Sequence, residues 1–211
     1  MKTTSLFQLG GIAILISAIL TGIGNLIYFL SGQPDQPTTP DVWRGIFAGT
    51  LFLLGLGALF ARQAQRGGLL GLVGYVLLVC ATIFFIASDA VSLGVAAGVI
   101  SDEQIAQVSS YTRSSSIMPW VWVAALIAFG IATYRAQVFP RYAGALLVLL
   151  GLIQPLTGPL AFTRPIYAAC YFVVWAWLGW KLYGIAGIQG DEWREAHHPA
   201  ITSADSTRAH R

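Results

Sequence analysis

One acidic side chain, Asp89, closes a long apolar stretch and is the first candidate for chemistry in this sequence. A carboxylate in such a place can hold a proton or a cation, or form an ion pair with Arg44 or Arg113. Counted from Leu69 at 1.5 Å per residue, Asp89 lies about 30 Å along its helix. This distance favours the alternative, an acid that stays hydrated where a helix leaves the membrane.

Neutral polar groups within apolar stretches are the second set of candidates. Asn25 and Gln154 can each form hydrogen bonds between helices, worth about 0.6 kcal/mol in a bilayer. Gln154 opens the sequence Gln-Pro-Leu-Thr-Gly-Pro, which contains Thr157. Its prolines and glycine predict an interrupted helix with free backbone carbonyls. Such a break can line a binding site, and a frayed helix end is the other interpretation.

Aromatic residues supply a third candidate. Tyr167, Tyr171 and Trp175 recur every four residues, so they share one face of a helix. This face can stack against a planar or lipid-like ligand. Packing between helices of a bundle is the alternative that the spacing leaves open.

Groups suited to catalysis or metal binding are few. The three histidines, at 197, 198 and 210, lie in the polar C-terminal part, and Cys80 and Cys170 lack metal-ligand spacing. The motifs HExxH and GxSxG and the P-loop do not occur. We therefore expect no catalytic residue, metal or cofactor. Since the basic residues form no cluster, we also expect no nucleic-acid partner.

Composition indicates which elements must position these residues. The chain has 211 residues, of which 56% are hydrophobic and 10% charged, whereas soluble domains are about 25% charged. A helix needs about 20 apolar residues to cross a membrane. We predict an all-α transmembrane helical bundle over residues 1–186 and a polar tail over 187–211 that is disordered or loosely helical. Six spans are predicted, at about 9–30, 42–61, 69–90, 118–134, 142–162 and 166–183.

Basic residues predict the orientation of the bundle, because Lys and Arg are enriched in cytoplasmic loops. With a cytoplasmic N-terminus, Arg44, Arg113 and Arg164 are external, and an even number of spans makes the C-terminus cytoplasmic too. The other nine basic residues are then cytoplasmic: Lys2, Arg62, Arg66, Arg135, Arg141, Lys181, Arg194, Arg208 and Arg211.

The segment between the third and fourth predicted spans differs from the short turns elsewhere. Residues 91–100 are apolar but too short to cross a membrane alone, so a seventh span is the weaker alternative. We expect an interfacial or partly re-entrant segment there. Ser101 and Gln104 have the spacing of a capping box, which predicts the start of a short helix.

One stretch resembles a known family. Tyr134–Leu147, followed by Gly151, has a helix ending in Arg, a Pro-Arg-aromatic turn, and a next helix that opens with Gly and a Leu-rich run. This pattern resembles small bacterial multi-pass membrane proteins with a domain of unknown function, and Leu9–Leu15 is similar to their first span. The resemblance implies a bacterial cytoplasmic-membrane protein without a known activity. The residues themselves favour Arg135 and Arg141 as anchors at anionic headgroups, with ligand binding as the alternative.

These observations predict a non-enzymatic membrane protein. Such a protein would bind a lipid-like or apolar molecule, or would act as a subunit of a membrane complex or a homo-oligomer. The alternative is a small proton- or ion-coupled transporter that uses Asp89 and the interrupted end of the fifth span.

Overall fold

The computed structural model describes residues 3–30, 38–160 and 162–197, and within them every regular element is a helix. The predicted all-α class is therefore confirmed. In chain order the elements are α1 (Thr3–Ala18), a π-helical turn (Ile19–Ile23), α2 (Gly24–Leu30), α3 (Thr39–Ala96), α4 (Asp102–Gln107), α5 (Ser109–Ala136), α6 (Arg141–Ile153), a 3₁₀ turn (Gln154–Thr157) and α7 (Thr163–His197).

Within the described residues, three continuous helical stretches are long and apolar enough to cross a membrane. They are Ser5–Leu30, Thr39–Ala96 and Ser109–Ala136, and the apolar helix Arg141–Thr157 is shorter. Large apolar side chains such as Leu54, Leu69 and Val173 lie on the outside of the bundle. This surface suits a protein surrounded by hydrocarbon rather than water.

Helix α3 consists of two antiparallel halves joined at Gly68. The backbone of Gly68 has φ 58° and ψ −161°, a conformation that is open almost only to glycine. Beyond this point the chain runs back along itself, since the rings of Phe60 and Tyr75 stack with centroids 4.3 Å apart. Farther from the turn, a Cβ added to Gly49 would lie 2.6 Å from Cγ1 of Ile86.

A buried polar contact joins α3 to α5 near this turn. The hydroxyl of Thr133 lies 3.0 Å from the side-chain amide of Gln63 and donates to the carbonyl of Phe129 at 2.8 Å. Gln63 and Thr133 are both fully buried. The contact places the basic turns at 62–68 and 135–141 at the same end of the bundle.

Close backbone approaches hold the other helices together. A Cβ on Gly11 would lie 2.7 Å from the carbonyl oxygen of Gly179, and one on Gly179 would lie 2.8 Å from that of Gly11. Gly130 and Gly144 form a similar reciprocal contact between α5 and α6. Since small residues let helix axes approach closely, van der Waals contact can hold these pairs together without an aqueous driving force.

The connection between α3 and α5 is shorter than the sequence predicts. Helix α3 continues through residues 91–96, so this stretch is not a separate re-entrant segment. Helix α5 begins at Ser109, upstream of the span predicted from Met118. The capping box is confirmed, because the amide of Gln104 donates to Oγ of Ser101 at 3.2 Å and Oε1 of Gln104 accepts from the amide of Ser101 at 2.9 Å.

Helix α7 reaches farther than the predicted sixth span. It is helical through His197, the last described residue, so it includes residues 187–197 of the tail that was predicted to be disordered or loosely helical. The rest of that tail, 198–211, lies outside the described residues. The basic residues Lys2, Arg208 and Arg211 lie outside them too.

Candidate functional site

A cavity of about 710 Å³ occupies the end of the bundle that is distant from Gly68. Its walls come from α1, the π-helical turn, α2, both halves of α3, α5, the 3₁₀ turn and α7. Lining residues that range from Ser17 to Tyr171 thus contribute to one space. Six of the residues singled out from the sequence line it: Asn25, Asp89, Gln154, Thr157, Tyr167 and Tyr171.

The remaining three candidates lie elsewhere. Trp175 is fully buried behind the cavity wall, and its ring meets that of Phe52 edge to face with centroids 4.7 Å apart. Arg135 and Arg141 are exposed on either side of the turn between α5 and α6. The structure therefore does not bring these two arginines to the cavity.

Arg44 links the first helical segment to α3 at the edge of the cavity. Its Nη1 donates to the carbonyl of Leu20 at 2.7 Å, and both terminal nitrogens lie 3.4 Å from Oδ1 of Asn25. Nη2 also lies 3.7 Å from Oδ1 of Asp41. Leu20 belongs to the π-helical turn, where the change in hydrogen-bond pattern makes a carbonyl available to a side chain.

Two glycines provide the space for charged groups at this end. A Cβ on Gly24 would collide with the guanidinium of Arg44, and a Cβ on Gly45 would collide with the carboxylate of Asp89. Each charged group thus packs directly against the backbone of another helical segment. The positions of both charges depend on a neighbouring residue without a side chain.

Asp89 lies half-buried in the cavity wall. The Arg44 guanidinium interacts with it electrostatically, as one of the sequence-based alternatives proposed. Among the described residues, none donates a hydrogen bond to its carboxylate. Asp89 therefore contributes a negative charge to the cavity that is only partly compensated by the protein.

Aromatic rings form the apolar part of the lining. The indole nitrogen of Trp122 donates to the hydroxyl of Tyr167 at 3.1 Å, which fixes both rings. The ring centroid of Trp122 lies 5.9 Å from that of Phe52 and 5.7 Å from that of Phe85. Together with Tyr171, these side chains present an extended ring surface to the cavity.

The interrupted helix predicted around Pro155 is present as the 3₁₀ turn Gln154–Thr157. Oγ1 of Thr157 donates to the carbonyl of Gln154 at 2.7 Å. The carbonyl of Thr157 accepts from Nε of Arg164 at 2.9 Å. These two carbonyls at the break thus accept hydrogen bonds from the protein itself, and the carbonyl of Thr157 holds Arg164 in the cavity wall.

Sequence reasoning missed several residues of the site. Phe52, Phe85 and Trp122 look like ordinary apolar positions of their helices, and nothing in the sequence indicates the π-helical turn Ile19–Ile23. Arg164 was assigned only to the external loops. The sequence did contain one signal for this site: the three arginines predicted to be external share that end of the bundle with acidic residues.

We predict that Arg44→Gln lowers the free energy of unfolding by about 1–3 kcal/mol, because it removes charged hydrogen bonds and leaves a partly buried carbonyl unpaired. Arg113→Gln is the matched control, since Arg113 is exposed, and a change within about 0.5 kcal/mol is expected there. Unfolding by sodium dodecyl sulfate in mixed micelles, followed by circular dichroism, measures both values. Equal effects of the two substitutions would contradict the structural role of Arg44.

Comparison of the chain with protein-family models, curated proteins and solved structures gave no match. The function of the cavity has to be inferred from its own residues. Those residues combine two arginines, two carboxylates and amide groups with a surface of aromatic rings.

Proposed function

We propose that this chain is a six-span protein of the bacterial cytoplasmic membrane that binds an amphiphilic, lipid-like molecule in the cavity without acting on it chemically. The cavity carries this proposal. Its volume of about 710 Å³ lies within the range of roughly 300–1,000 Å³ that is typical of small-molecule sites, which combine apolar walls with a few polar groups.

The distribution of polar and apolar groups favours an amphiphile over a wholly apolar or wholly polar ligand. Asn25, Asp89 and Gln154 offer charge and hydrogen bonds, while Phe52 and Trp122 offer apolar contact. A wholly apolar ligand would remove water from the polar groups without replacing their hydrogen bonds. An amphiphile satisfies both parts of the lining.

A binding role also fits the three Ser and Thr hydroxyls of the lining whose hydrogen bonds are described here. Oγ of Ser17 donates to the carbonyl of Ala48 at 2.8 Å, and Oγ1 of Thr82 donates to that of Leu78 at 2.7 Å. Thr157 likewise donates to Gln154. The protons of these hydroxyls are directed at backbone carbonyls, whereas a nucleophile requires a base as its hydrogen-bond partner.

Six helical segments support the proposed threading: 3–30, 39–67, 69–96, 109–136, 141–157 and 163–197. The contact between Gln63 and Thr133 favours a common side for the turns at 62–68 and 135–141, as the positive-inside rule requires. In this arrangement the cavity lies toward the external face, and both termini are cytoplasmic.

We predict that the intact chain, purified in a mild non-ionic detergent, retains an amphiphilic molecule detectable by native mass spectrometry. Ala168→Phe should abolish retention, because Ala168 is buried and lines the cavity. Ala169→Phe, the same change on the exposed side of the same helix, should leave retention unchanged. The same spectra would reveal a bound subunit or a homo-oligomer, which are the other roles expected from the sequence.

Two outcomes would count against the binding proposal. One is a chain that carries no bound molecule under any mild extraction condition. The other is equal retention by the wild type and both phenylalanine variants, which would place the molecule on the lipid-facing surface instead of in the cavity.

Single cysteines, introduced after Cys80 and Cys170 have been replaced, test the predicted orientation. In intact cells, a membrane-impermeant maleimide should label Glu103→Cys and should not label Arg66→Cys or Gln137→Cys. The latter two should react only after the membrane is permeabilised. Labelling of positions 66 and 137 from opposite sides of the membrane would refute the threading.

A second candidate function is coupled transport, which is favoured by one observation. Asp89 shares the cavity with Gln154 and Thr157 of the interrupted helix, an arrangement that transporters use at substrate sites. This function predicts solute flux in vesicles with a pH dependence that Asp89→Asn removes and Glu103→Gln preserves. Flux no greater than that of empty vesicles across a broad solute panel would exclude it.

A further inference from the structure

We infer that the molecule bound in the cavity carries a positively charged amino group that contacts Asp89, attached to an apolar body that lies against the aromatic rings. This inference rests on the proposed binding function and specifies the chemistry of the ligand. An ammonium group has three donors and one positive charge, which match a half-buried carboxylate that needs both.

The two carboxylates of the lining have different surroundings. Oδ2 of Asp41 accepts hydrogen bonds from Oγ1 of Thr38 at 2.5 Å and from the backbone amide of Thr38 at 3.3 Å. Oδ1 of Asp41 lies 3.7 Å from Nη2 of Arg44. Asp89 accepts no hydrogen bond from any described residue. Asp41 is therefore satisfied within the protein, and Asp89 is the acid available to a ligand.

Arg44 does not take the place of the ligand at Asp89. Its guanidinium is held by the carbonyl of Leu20, by Oδ1 of Asn25 and by Asp41. Because Gly24 fixes its position against α2, moving it toward Asp89 would cost these contacts. Its interaction with Asp89 is electrostatic only, which partly compensates the charge but supplies no donor.

Aromatic residues near Asp89 favour an organic cation. Phe85 precedes Asp89 by one helical turn and lines the same cavity, and its ring packs against that of Trp122 at 5.7 Å. Ring faces attract ammonium groups electrostatically, and the attraction increases when the cation is desolvated. Phe52 and Tyr171 extend the ring surface deeper, where the apolar body of the ligand would lie.

The presence of Arg164 allows the amine to come from two sources. It lines the cavity together with Asp89, so the head group of an amine-bearing phospholipid could place its phosphate near Arg164 and its amine near Asp89. A simple amphiphilic amine carries the same cationic group without the phosphate. Both contain the required chemistry, and the experiment has to separate these two sources.

The test compares dodecylamine, dodecanol and dodecyl phosphate, which share one chain length, in non-ionic maltoside micelles. Apparent affinities follow from the shift of the thermal unfolding midpoint with ligand concentration. Dodecylamine should bind about tenfold more tightly than dodecanol, as charged hydrogen bonds allow. Asp89→Asn should reduce this ratio to near one, and Glu103→Gln, which removes an exposed external acid, should preserve it.

A second experiment distinguishes a membrane lipid from a simple amphiphilic amine as the source of the amino group. It compares the retention of phosphatidylethanolamine and phosphatidylglycerol by native mass spectrometry. Preferential retention of the amine-bearing lipid, again lost in Asp89→Asn, indicates a membrane lipid. Preference for dodecylamine without a preference between the two phospholipids indicates a small amphiphilic amine. Both results support the inference.

A measurement on the wild type keeps the inference testable if Asp89→Asn does not fold. Carbodiimide coupling of glycine methyl ester to carboxylates, mapped by peptide mass spectrometry, should be slowed at Asp89 by N,N-dimethyldodecylamine but not by dodecanol. Glu103 is the internal control, because its reactivity should not change. Equal affinity for amine and alcohol, or equal protection by both, overturns the inference and leaves the binding function intact. Binding of none of the amphiphiles overturns both.

Discussion

The partial burial of Arg44 among helices is the constraint on which this end of the structure depends. A guanidinium that leaves water needs acceptors and a counter-charge, and helices offer neither while their carbonyls are bonded internally. The π-helical turn supplies one acceptor, the carbonyl of Leu20, and Asn25 and Asp41 supply the rest. The π-helical turn in the first helical segment therefore supplies an acceptor that the charge of Arg44 on α3 requires.

The cavity follows from the same requirement. Because Gly24 and Gly45 carry no side chain, a guanidinium and a carboxylate occupy the space between helices that apolar side chains would otherwise fill. The cavity lies beside these two charged groups. The aromatic residues Phe52, Trp122 and Tyr171 line the space farther in, and together these groups produce a site that is polar at one end and apolar at the other.

The sequence could predict the helical class, the reversal near Gly68 and the break at Pro155, because each depends on local composition and on glycine or proline chemistry. It could also single out Asn25, Asp89 and Gln154, since polar residues are rare in apolar stretches. It could not predict that they converge. That depends on helix packing angles, which are set by reciprocal glycine contacts such as Gly11 with Gly179, and these glycines are indistinguishable from the others in sequence.

The difference between Asp89 and Arg164 explains why the cavity should select a head group as well as accept an amphiphile. Arg164 donates to the carbonyl that the proline break leaves at Thr157, so the protein itself supplies an acceptor for this side chain. Asp89 receives no donor from the described residues. A ligand that provides one therefore gains more at Asp89 than at any group the protein already satisfies, and this gain, rather than apolar contact, distinguishes one membrane amphiphile from another.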